Sequence, residues 1–216
     1  MSINKIREYI MVKGKHNHAT LDEVGAYNWG GDLKYTDETY EMLNSIFKMD
    51  SLITEVSYVI ALDHNKEPKG ICKIGQGNAN ETPTSMQNIF TFLLLTGANA
   101  FVLVHNHVSN MPEVSESDHI ITIRANMLAT LFNMEFIGHM IIHPCGYVID
   151  GGIMDGTKRE RDEYGDLIDS DFFDDESDGQ DDYEPFANNA DTSHINIEDM
   201  AEMARMLRER AERREF

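Results

Sequence analysis

Apolar residues between positions 56 and 149 recur at two spacings, one typical of buried strands and one of helices. Val56-Ser57-Tyr58-Val59-Ile60-Ala61-Leu62 is a near-continuous apolar run, and Lys69 to Ile74 returns after the turn His64-Asn65-Lys66-Glu67-Pro68, which together predict a β-hairpin. Met86, Ile89, Phe90, Leu93 and Leu94 fall at helical spacing, from a start at Pro83 or Thr84 to the stop signal Gly97. Ala100 to Val104 predicts a short buried strand, residues 117–132 an amphipathic helix, and residues 136–142 and 146–149 two further strands. Upstream, Thr36 followed by Asp37 and Glu38 opens a helix with the stripe Tyr40, Leu43, Ile46 and Phe47. Helix, two strands, helix, strand, helix and two strands predict an α/β fold, a three-layer sandwich around a mixed sheet. A ligand site is expected at the end of a central strand.

The flanks read differently. Residues 1–35 are weakly patterned and form an N-terminal extension, in which Ile3, Ile6, Tyr9 and Ile10 suggest a short first helix before Gly14, Gly25, Gly30 and Gly31 interrupt. After the domain at 36–150, residues 151–194 read as an acidic linker: Asp155 to Glu184 holds 14 acidic residues against 3 basic ones. Such a segment cannot bury enough apolar surface to offset its ordering entropy, so it is expected to be disordered or ordered only by a partner. Residues 195–216 predict an amphipathic helix striped by Ile197, Met200, Met203, Ala204, Leu207 and Ala211. A lone helix is marginal in water, so this stripe is expected to dock on the domain, pair with itself or bind another protein.

Charge narrows the function classes. A formal net charge of −20 repels a phosphate backbone, which argues against nucleic acid as a partner. Most of the excess lies after residue 150. Cys72 and Cys145 are too few for a disulfide framework and read as reduced, buried thiols. No run approaches the length of a membrane span, and Met1-Ser2-Ile3-Asn4-Lys5 lacks a hydrophobic signal region, so a cytoplasmic protein is expected.

The chemistry concentrates in His105-Asn106-His107-Val108-Ser109-Asn110-Met111-Pro112-Glu113-Val114-Ser115-Glu116-Ser117-Asp118. Two imidazoles spaced i, i+2 at a strand end point the same way. Asp118, carried back by the loop into the first turn of the next helix, supplies a third ligand. Two histidines and a carboxylate leave a fourth position for water, the arrangement of a catalytic zinc. A base must then take the water's proton, and Glu55, opening the strand at Val56, is the leading candidate.

His-x-His, seven residues, then Ser-x-x-Asp, with a glutamate opening an upstream strand, resembles the JAMM (MPN+) metalloprotease motif. Leu62-Asp63-His64-Asn65 and Val104-His105-Asn106-His107 are similar to the RadC-like branch of that family in particular, over roughly Thr36 to Val148. The resemblance implies a cytidine-deaminase-like JAB/MPN fold. It also implies zinc on His105, His107 and Asp118, Glu55 as general base, and Ser115 helping to stabilise the oxyanion. The implied activity is zinc-dependent cleavage of a peptide or isopeptide bond in a peptide or protein substrate. The family usually has proline directly after the second histidine, where this chain has Val108. The helix-hairpin-helix region of full-length RadC proteins is not recognised here.

Blander readings compete at each position. Ser115-x-x-Asp118 also fits an ordinary capping box. Glu55 is equally the solvated end of a strand, with Glu81 as a rival base. His139 and His143 share one face of the 136–142 strand or its end, and His139 either orients a metal ligand or is a hydrogen-bonded strand histidine. Asn106 holds the ligand loop or caps a turn. His16 and His18 repeat the His-x-His spacing but read as exposed loop histidines, and Glu113 reads as facing water. A deaminase-type zinc site lacks its paired cysteines. The functional alternatives are a non-catalytic interaction module with an acidic tail, or a DNA-repair-associated RadC-like protein.

Overall fold

The computed structural model describes residues 4–31, 33, 36–77, 84–110, 113–154, 158–161 and 167–169. Nine strands form one mixed sheet: β1 (Asn4–Lys13), β2 (Ala19–Trp29), β3 (Val56–Leu62), β4 (Pro68–Gln76), β5 (Ala100–Asn106), β6 (Glu135–His143), β7 (Gly146–Asp150), β8 (Lys158–Arg161) and β9 (Leu167–Asp169). Their spatial order is β2-β1-β4-β3-β5-β6-β7-β8-β9. Three helices cover it: α1 (Thr36–Phe47), α2 (Met86–Thr96) and α3 (Glu116–Leu131).

The apolar runs explain the layering. All seven residues of β3 and all seven of β5 are buried, as befits central strands covered on both faces. Tyr40, Met42 and Leu43 of α1 pack with Tyr58, Ile60, Val102, Val104, Met140 and Ile142 on one face. Ile89, Phe90, Phe92 and Leu93 of α2 and Ala125 and Ala129 of α3 pack with Val59, Phe101, Leu103 and Phe136 on the other. The expected three-layer α/β sandwich is what the chain forms.

Helix ends follow the local chemistry. Ser85 caps α2 by accepting the Asn88 N–H, so the helix begins slightly later than Pro83 or Thr84, and Gly97 closes it in the left-handed region at φ 63°. Ser115 caps α3, whose buried positions Asp118, Thr122, Ala125 and Ala129 make a narrow stripe of small or polar residues against the sheet.

The flanks depart from expectation. Residues 4–13 are not a helix: β1 pairs antiparallel with β2 and parallel with β4, so the N-terminal extension lengthens the main sheet. Within the acidic segment, β8 pairs with β7, and β9 with β8, so residues 158–161 and 167–169 are ordered as the last two strands of the sheet rather than disordered. The helix expected over 195–216 and the rival base Glu81 lie outside the described residues. Cys72 is buried as expected, whereas Cys145 is exposed in the turn between β6 and β7, contrary to the reading of both thiols as buried. No helix among the described residues is long and apolar enough to cross a membrane.

Candidate metal centre

β5 and β6 run parallel and end together, with Asn106 opposite Ile142. The N-terminus of α3 returns to the same end of the sheet. This convergence places His105 at the end of β5, His107 just beyond it and Asp118 in the first turn of α3. One ligand atom from each of these three lies within 4.8 Å of the others. His105 Nε2 is 3.0 Å from His107 Nε2 and 3.2 Å from Asp118 Oδ1, and His107 Nε2 is 3.3 Å from Asp118 Oδ2. Two imidazole nitrogens and a carboxylate oxygen at these separations fit a divalent cation of the zinc type.

A chain of hydrogen bonds fixes which nitrogen of His105 faces the group. The Thr122 hydroxyl donates to the Asp118 carbonyl at 3.1 Å, so its lone pair accepts the His139 Nδ1–H at 2.9 Å. His139 Nε2 is then an acceptor, and it takes the His105 Nδ1–H at 2.8 Å. His105 Nδ1 is thereby tied to His139, and Nε2 is the His105 nitrogen that faces Asp118 and His107, the one a metal would take. Burial pushes His139 down to about 3, with the His105 charge adding to the effect, so His139 is neutral and keeps this role. His143, at the end of β6 and facing the same way, is pushed down to about 4 by burial and by His107.

Burial alone would raise the Asp118 carboxyl. Its contacts with the His105 and His107 rings and the Ser115 hydroxyl outweigh that and hold it below the usual carboxylate range, so it stays ionised. Ser115 takes part in a full capping box: its Oγ accepts the Asp118 N–H at 3.2 Å and donates to Asp118 Oδ2, while Asp118 Oδ2 accepts the Ser115 N–H at 3.2 Å. The capping and the candidate-ligand readings of Ser115-x-x-Asp118 therefore describe the same atoms.

Glu55 directly precedes β3, whose Ser57 lies opposite His105, so it stands at the end of the sheet where β5 delivers its histidines. It is buried and is not part of the three-residue ligand group. Asn106 is fully buried between the two histidines; its Oδ1 accepts the Val56 N–H at 2.8 Å and its Nδ2 donates to the Thr54 carbonyl at 3.2 Å. The Glu55 carbonyl accepts the Gly77 N–H at 2.9 Å. The side chain that occupies the middle of His-x-His thus grips the backbone on either side of Glu55.

Three residues here carried no weight in the sequence. Thr122 closes the tautomer chain, and its only signal was helical spacing, four positions after Asp118. His119 contacts Asp150 through Nδ1 at 3.0 Å, and Asp150 lies opposite His139 on β7. Burial opposes ionisation of Asp150, but its contacts, led by the His119 hydrogen bond, overcome it and lower its pKa. His16 and His18 are exposed at the tip of the β1–β2 hairpin, and Glu113 is exposed, as expected.

Comparison with known proteins identifies the family. Curated relatives include UPF0758 proteins of Coprothermobacter proteolyticus (27% identical over 39% of this chain and 36% of the relative) and Idiomarina loihiensis (26%, over 41% and 39%). A third, from Staphylococcus aureus, is 29% identical over 42% of each chain. The chain thus spans about two fifths of the length of the curated relatives it matches. The family model described as RadC-like JAB domain matches residues 33–149, more than half of the sequence, and the chain belongs to that family.

Proposed function

We propose that this domain is a JAMM-type zinc hydrolase that cleaves a peptide or isopeptide amide in a protein substrate. The observation that carries the reading is the convergence of His105 Nε2, His107 Nε2 and the Asp118 carboxylate within 4.8 Å, with His105 Nδ1 already engaged by His139. A zinc ion bound there supplies a Lewis acid for the scissile carbonyl and brings the pKa of water into the neutral range.

The chain's own residues do the rest. Asp118, held ionised, offsets the cation's charge. Glu55, anchored through its flanking peptides by Asn106, takes the proton of the attacking water on its carboxylate and delivers it to the leaving amine. Ser115, whose hydroxyl donates to Asp118 in the resting arrangement, turns that donor toward the oxyanion as it forms.

Metal content tests the first half of the reading. The purified chain is expected to carry one zinc per molecule, removable by chelator, and His107→Ala is expected to lose it. Undiminished zinc in His107→Ala would sink the ligand assignment. A peptide-library cleavage screen run beside Glu55→Gln tests the second half. Equal cleavage by both would remove Glu55 as the base.

One observation favours a second reading, a binding module without catalysis. The Ser115 hydroxyl is already spent in the capping box, which would need no other purpose. Such a module would bind its protein partner with unchanged affinity after chelation. Nucleic acid is a poor fit to the net charge of −20 on either reading.

A further inference from the structure

Four histidines stand on one face of the parallel pair β5–β6. His105 and His107 come from β5 and the residue after it. His139 and His143 come from β6, four positions apart and therefore on the same side of the strand. Behind His105 the pairing is made, because His139 accepts its Nδ1–H. Behind His107 it is not.

The His107 N–H donates to the Ile142 carbonyl at 2.7 Å, which continues the ladder and sets His107 beside His143. The His143 ring is buried, at 1% exposure, and among the described residues neither Nδ1 nor Nε2 has a hydrogen-bond partner. Buried polar side chains are overwhelmingly paired, so a ring with both nitrogens unpaired next to a candidate metal ligand calls for a reason. Metal-binding histidines almost always donate their second N–H to a nearby acceptor, which fixes the ring and raises its basicity.

We propose that His143 is the positioning residue for His107: with a divalent cation in the group, His107 gives Nε2 to the ion and its Nδ1–H to His143. The inference rests on the metal-site reading above. β6 then backs each histidine ligand with a histidine of its own. The neutral His143 ring has one acceptor nitrogen, enough for this single bond; its own N–H gains no partner from it.

The test measures apparent zinc affinity of the full chain by competition with a chromophoric chelator, for the parent, His143→Phe and His143→Gln. Phe keeps an aromatic ring without nitrogen, and Gln keeps an acceptor. His143→Phe is expected to bind zinc about 10–100-fold more weakly, the usual effect of removing such a partner, and His143→Gln to recover most of the loss. The thermal midpoint of metal-free His143→Phe is expected at or above the parent's, since the substitution removes two unpaired buried nitrogens. A role in packing alone predicts the reverse, a lower midpoint with zinc affinity unchanged, and that result overturns the proposal. So does a Gln variant as weak as Phe. A parent chain that binds no zinc sinks the metal site itself, a failure distinct from equal binding by parent and His143→Phe.

Discussion

Asn106 bonds Val56 across a separation of fifty residues, with Oδ1 2.8 Å from the Val56 nitrogen, and it does so from the position between two histidines. The ligand strand and the strand that Glu55 opens are therefore held by one side chain as well as by their ladder. Asn106→Ala leaves a buried amide unpaired and is expected to cost about 1–3 kcal/mol in urea denaturation. Zinc content should persist, because neither imidazole is touched. An unchanged denaturation midpoint would show that the clamp contributes nothing.

Ser115 serves the helix and, on the proposed mechanism, the reaction; two substitutions separate these roles. Ser115→Ala is expected to lose about 1 kcal/mol with the N-cap, whereas Ser115→Gly loses only a few tenths. Both remove the hydroxyl, so both should lower kcat by about 10²–10³ if it donates to the oxyanion. A Gly variant as active as the parent would confine Ser115 to capping.

Acid should weaken the metal-free fold before ordinary carboxylates titrate. His139 is held down to about 3 and His143 to about 4, from an ordinary 6.5. Below 6.5 the unfolded chain takes up protons that the folded chain refuses, so this stability is present above 6.5 and drains away as pH falls toward 4. Asp118 and Asp150, both lowered, add a loss in the same direction below 3.8. Calorimetry from pH 7 to 4 should show a falling midpoint, with a shallower slope in His139→Gln. A flat profile across that range would contradict the buried neutral histidines.

The turn after β7 admits no side chain. Gly152 has φ 80°, and a Cβ there would stand 2.5 Å from the Ile137 carbonyl oxygen, next to the strand that carries His139. Gly152→Ala is expected to cost about 1–3 kcal/mol. Gly30→Ala is the control, because a Cβ at Gly30 meets nothing within 4 Å. Equal thermal midpoints for the two variants would refute the steric argument.

Much of this molecule can be read in its residues, and the exceptions have physical causes. The central hairpin is legible because β3 is apolar throughout and its turn is marked by Asn65 and Pro68. The metal group is legible because strand period and loop length constrain where His105, His107 and Asp118 can meet. β1 is not, since it is covered on both faces: Ile6 packs on the α1 side and Tyr9 and Met11 on the α2 side. Apolar residues then fall at both parities and imitate a helical spacing. β8 and β9 escape notice because they join the sheet through backbone bonds within an acidic stretch that has no apolar period. Asn106 was recognisable as polar and central, but its bond to residues fifty positions away leaves no trace in local pattern.

A sheet that never closes must defend its margins. At one margin lies β2, eleven residues long, a length that invites pairing with a stranger's strand. Its register against β1 slips where Glu8 meets Gly25 and Tyr9 meets Glu23, leaving Val24 as an extra residue that bends the strand. Asp22 and Glu23 stand beside the kink, exposed. Warped and negatively charged, that border discourages end-to-end stacking of molecules, and straightening it by deleting Val24 would make the protein prone to fibrous aggregation.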